Sequence, residues 1–144
     1  MDWKSECKRD LQDYPDILFS IQSMEYELKT LEDELSSLGG AGDNTPVQSS
    51  GNKSEDRILN ILSKKGETEA ALRIARRKEK LIRVALNRLD KNQQEILLTF
   101  SKMRAGSAVD TLSEKFGYER TRIYELYHIA LKRYCKCRYG STET

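Results

Sequence analysis

The sequence predicts an all-α protein, on three observations. Apolar residues recur at intervals of three and four along most of the chain. Leu, Glu, Lys, Arg and Ser dominate its 144 residues, and only two prolines and three phenylalanines occur, which argues against a sandwich or barrel. Charged residues make up 33% and hydrophobic ones 38%, with a mean hydropathy of -0.71, so the chain is polar yet patterned. The expected order is an N-terminal helical segment with coiled-coil character (1–38), a flexible Gly/Pro/Ser loop (39–53), a basic helical segment (54–89) and a C-terminal domain of three short helices (90–139).

Residues 2–13 read as a short helix. Asp13-Tyr14-Pro15 reads as a restart, with the proline in a first turn where its missing N–H costs nothing. Ile17, Ile21, Met24, Leu28, Leu31, Leu35 and Leu38 then follow at gaps of 4, 3, 4, 3, 4 and 3. That is an unbroken a/d seam along about 36 Å of helix. A lone helix cannot bury such a seam. Two partners fit: the basic segment of the same chain, as an antiparallel hairpin with charge-matched flanks, or the same helix of a second copy, giving a homodimer. Gly39-Gly40-Ala41-Gly42 reads as the stop, and the loop after it includes Pro46. Gly51-Asn52-Lys53-Ser54 superficially resembles a phosphate loop, but the order and spacing fail and no strand precedes it. Ser54, with Glu55 and Asp56, reads as the cap of the next helix. Lys64-Lys65-Gly66 reads as a C-terminal stop unless a long helix absorbs the glycine at ~1 kcal/mol. Leu72, Ala75, Ile82, Leu86 and Leu89 continue the apolar face.

Charge is segregated. Residues 1–56 carry five basic and thirteen acidic side chains, a net of -8, while residues 57–91 carry eleven against four, a net of +7. Residues 92–144 add nine against six, a net of +3. An acidic front and basic rear suit a front that docks on the rear, or different partners for each; the basic part permits nucleic-acid binding. The first ten residues mix charges without an apolar core, and no apolar run approaches the roughly 20 residues of a spanning helix. A signal peptide and a membrane partner are therefore not expected, and the cytoplasm is the expected location. Three cysteines, an odd number, argue against a disulfide framework there.

The last third divides into three helices. Asp90 and Gln93 have capping-box spacing, ahead of Ile96, Leu97 and Phe100. Arg104-Ala105-Gly106-Ser107 reads as a turn, with Ser107 capping a second helix and Asp110 as its box partner. Val109, Leu112 and Phe116 form that helix's apolar face, and Gly117 closes it. A third helix starts near Glu119, with Ile123, Leu126, Ala130, Leu131 and Tyr134 turned inward. A short helix, a tight glycine turn and a longer helix make the spacing of a helix-turn-helix.

Residues 86–134 resemble region 4 of bacterial sigma factors. The likeness rests on Leu86-x-x-Leu89, Gly106-Ser107 before the second helix, the Phe116-Gly117 turn, Arg122-Ile123-Tyr124-Glu125-Leu126 and Ala130-Leu131. The wider chain is similar to small phage and prophage transcriptional activators of the RinA and ArpU type. In these a helical segment and a Gly/Pro-containing stretch, here Thr45-Pro46-Val47-Gln48-Ser49-Ser50-Gly51, precede a sigma-like domain. The chain has no counterpart of the core-binding regions of sigma factors. The resemblance implies sequence-specific binding of double-stranded DNA in a bacterial host cell, as a transcriptional regulator, with RNA polymerase as a further partner. Two other readings share these features: a polymerase-binding adaptor, and a small-terminase-like packaging protein.

The chemistry of the third helix agrees with that expectation. In a helix-turn-helix the N-terminal half of the second helix enters the major groove. Its outward positions are Arg120, Thr121, Arg122, Tyr124 and Glu125. Arginine matches a guanine edge, threonine a thymine methyl, and glutamate the amino group of cytosine; Tyr124 can stack or reach a phosphate. Arg104 and Ser107, at the second helix, suit phosphates, as does Lys132 or Arg133 further along. His128, the single histidine, reads as a phosphate neighbour or a bystander. Cys135 and Cys137 with distant Cys7 make a poor metal site. No nucleophilic triad or cysteine–histidine pair is evident, so neither enzymatic activity nor a cofactor is expected.

Overall fold

The computed structural model describes residues 2–41 and 51–140, with side chains at 39–41, 51 and 52 outside the description. The described residues are all-helical: α1 (Trp3–Ala41), α2 (Gly51–Asn87), α3 (Lys91–Lys102), α4 (Ala105–Phe116) and α5 (Arg120–Tyr139). Among them no helix is long and apolar enough to cross a membrane. The middle of the expected loop, 42–50, with Pro46, lies outside the described residues.

The chain divides into two compact units, Met1–Ile17 with Lys78–Thr144, and Leu18–Arg77. These boundaries differ from the sequence partition because α1 and α2 each run through both units. The expected restart at Pro15 is absent, since Pro15 lies inside α1. An interior proline costs ~3 kcal/mol or more, but tertiary packing offsets that here. Cys7 and Leu11 are buried just before it, and the Tyr14 hydroxyl donates to Glu79 Oε2 at 3.0 Å. Neither glycine stop halts its helix at once: α1 continues through Gly39 and Gly40 to Ala41, and α2 runs through Gly66. Ser54 is no cap, because α2 already begins at Gly51.

In the unit 18–77, α1 and α2 pair along the seam. Glu25 lies 3.7 Å from Arg76 and Glu32 lies 3.9 Å from Lys65. Numbers rising on one helix meet numbers falling on the other, so the helices are antiparallel. Leu31, Ile61 and Leu72 are buried, and the other seam residues of this unit are half-buried. The seam thus finds its partner within the chain.

In the other unit, Leu11 of α1, Ile82 and Leu86 at the end of α2, Leu89 just after it, Leu97 of α3, and Ala130, Leu131 and Tyr134 of α5 form one core. Ile96, Val109, Leu112 and Ile123 form a second that ties α3, α4 and α5 together. Asp90 caps α3 in a full capping box with Gln93, as its spacing predicts. Cys7 and Cys135, both fully buried with Cα atoms 6.0 Å apart, are paired as a disulfide, while Cys137 is exposed and free. That corrects the expectation of unpaired cysteines: residues 128 positions apart are neighbours because the start of α1 lies along the second half of α5.

The same contact holds a buried charge. Asp10, 3% exposed, accepts hydrogen bonds from the Tyr139 hydroxyl at 2.7 Å and the Tyr134 hydroxyl at 3.2 Å, and Arg138 Nε lies 3.2 Å from the same carboxylate. Burial first, then the hydrogen bond to Asp10, pushes the Tyr139 phenol up to about 12. Burial and the Asp10 charge raise Tyr134 as well. Both phenols are thus held protonated, as donors to a carboxylate, through neutral pH and above.

Candidate nucleic-acid interface

α4 and α5 meet at a turn that the sequence anticipates. Gly117 adopts a left-handed conformation (φ 73, ψ 21), and its N–H donates to the Ser113 carbonyl at 2.9 Å. Only a residue without a Cβ takes this conformation at little cost. The Ser113 hydroxyl donates to the Tyr118 carbonyl, closing the turn from the other side. Glu119 is the N-cap residue of α5, in extended conformation, and its carbonyl accepts from the Ile123 N–H at 3.1 Å. Ile123, fully buried against Val109 and Leu112, then fixes the rotation of α5 about its axis.

That rotation decides which side chains face outward. Thr121, Glu125, His128 and Lys132, at helical spacing of four, three and four, are all exposed, and Arg122 and Arg133 flank them. Arg120, at the first residue of α5, forms an ion pair with Asp110 of α4. Arg122 Nη1 donates to Glu125 Oε2 at 3.1 Å. Tyr124 is only 36% exposed and turns its ring edge-on to Phe100, with centroids 6.0 Å apart. Phe100 in turn stacks on Tyr127 at 4.0 Å. Tyr124 therefore sits at the rim of the face rather than at its centre.

The residues expected at α4 are placed differently from their predicted roles. Arg104 is the N-cap residue of α4 without a side-chain hydrogen bond, so its exposed guanidinium is not used in capping. Ser107 is not a cap, because α4 begins two residues earlier at Ala105; its exposed side chain sits in the first turn and its carbonyl accepts from the Thr111 hydroxyl at 2.9 Å. Asp110 is not a box partner, since it binds Arg120. Lys132 lies twelve residues along α5 from Arg120, about 18 Å, so the two serve opposite ends of the helix.

Sequence reasoning gave no place to Ile129, which is 52% exposed in the midst of this polar face. Its signal was available: it falls seven residues after Arg122, on the outward side. Arg133 has a structural task that no local pattern announces, donating from Nη2 to the Arg88 carbonyl at 3.2 Å. Among the described residues no group of three or more His, Cys, Asp or Glu is arranged to hold a metal ion.

Comparison with protein-family models, with curated proteins and with solved structures finds no match for this chain.

Proposed function

We propose that the chain is a sequence-specific double-stranded DNA-binding transcriptional regulator, an activator of the phage or prophage kind. In this reading α4, the Gly117 turn and α5 act as a helix-turn-helix of the sigma region 4 type. The observation that carries the reading is the outward face of the first two turns of α5, where Arg120, Thr121, Arg122 and Glu125 stand exposed on a helix held from behind by Ile123. Arg120, Thr121, Arg122 and Glu125 supply the base contacts. Arg104 and Ser107 at the start of α4, and Lys132 on the later turns of α5, supply phosphate contacts, with Tyr124 at the rim.

The ion pairs of Arg120 and Arg122 do not oppose this role. Every partner in them is more than half exposed, and such pairs are worth ~0–1 kcal/mol. A phosphate or guanine edge can replace the carboxylate at little cost. Titrating duplex DNA at several salt concentrations tests the proposal. Each neutralised phosphate contributes a slope of roughly -0.9 to log K against log salt, so three or more contacts give about -3 or steeper. A flat dependence would remove the DNA and leave RNA polymerase, reached through the same face, as the partner.

A further inference from the structure

A second surface lies on α2, within the unit 18–77, and it has no task in the DNA reading. Ile61 and Leu72 are buried toward α1. Leu59 and Ile74 each stand two residues away, about 200° around the helix, and are 62% and 71% exposed. Between them Gly66 and Ala70 are exposed on the same side, and the space in front of Gly66 is empty. α2 is therefore apolar on two opposed faces. A helix patterned in this way is built to lie between two neighbours, and the chain supplies one of them.

We propose that this outer face of α2 is a homodimer interface, on which α2 of a second copy lies antiparallel. Charge complementarity selects the occupant and its direction. The face is bounded by exposed Asp56 at one end and exposed Arg77 at the other, and neither is in an ion pair among the described residues. The antiparallel register that sets Leu59 on Ile74 of the second copy also sets Asp56 on Arg77 of that copy, twice by symmetry. Gly66 and Ala70 fall near the two-fold axis, where small side chains let two helices approach closely. A parallel arrangement would instead stack Arg77 on Arg77 and Asp56 on Asp56. The paired stretch from Asp56 to Arg77 is about 32 Å long.

This dimer does not use the seam 17–38, which is occupied within the chain, and it stands independently of the DNA reading. The test is the mass of the full-length chain by sedimentation equilibrium over a range of concentrations, with helicity checked by circular dichroism. The wild type is expected to be a dimer. Ile74→Glu, at an exposed position, is expected to give a folded monomer. Asp56→Arg and Arg77→Asp are each expected to weaken the dimer about tenfold, and the double reversal to restore it. A monomeric wild type would overturn the proposal, as would a dimer untouched by Ile74→Glu or charge reversals without mutual rescue. So would a dimer abolished by Tyr26→Arg, at a position 74% exposed on α1, and retained in Ile74→Glu.

Discussion

Asp10→Ala is expected to lower folding stability by about 3–5 kcal/mol, the usual cost of breaking a buried ion pair from one side. Asp10 is 3% exposed, and the Arg138 side chain beside it is 15% exposed. Removing the carboxylate leaves the guanidinium without its counter-charge and strips the hydroxyls of Tyr134 and Tyr139 of their acceptor. Domains of this size are held by only ~5–15 kcal/mol, so the loss is a large share of the total. Chemical denaturation of the variant, with an unchanged slope, measures it. Asp10→Asn keeps the volume and an acceptor but not the charge, and is expected to fall between the two. A loss below ~1 kcal/mol for Asp10→Ala would mean that the start of α1 is not anchored on α5 by this group.

Arg122→Ala is expected to lower affinity for a specific duplex by ~1–3 kcal/mol, roughly ten- to a hundredfold, while binding to unrelated duplex changes little. Arg122 is the third residue of α5, 53% exposed, with a partner, Glu125, that is 57% exposed. Its removal therefore leaves the fold intact, and denaturation midpoints should match the wild type. Lys132→Ala should behave differently, weakening specific and nonspecific duplexes alike and reducing the salt slope by about one. Arg133→Ala is not a clean comparison, because its hydrogen bond to the Arg88 carbonyl ties α5 to the segment just after α2. Competition binding with matched and scrambled duplexes separates these outcomes.

Local chemistry made the C-terminal helices legible. Asp90 and Gln93 satisfy each other across one turn, and Gly117 takes the left-handed conformation that ends α4. The start of α5 after Glu119 follows from that glycine and from the buried phase of Ile123, Ala130 and Tyr134. Long-range packing hid the rest. Pro15 reads as a boundary because sequence shows the lost hydrogen bond but not the core into which Cys7, Leu11 and Tyr14 of the same helix pack. Ser107 is a good capping residue, but α4 starts at Ala105 without one. Asp10 gives no sign of burial in its own neighbourhood, since its partners lie 124 to 129 residues away. The outward positions in the first turns of α5 were readable from helical phase, although Ile129 further along was given no place. The ion pairs of this face were not, because Asp110 reaches Arg120 only across the turn.

Selection of bound duplexes from a random pool tests the central claim most directly. The account predicts enrichment of a defined site by the wild-type chain, and relaxation of that site at one or two base pairs in Arg122→Ala. A pool that stays random, or a site read identically by the wild type and Arg122→Ala, would contradict it.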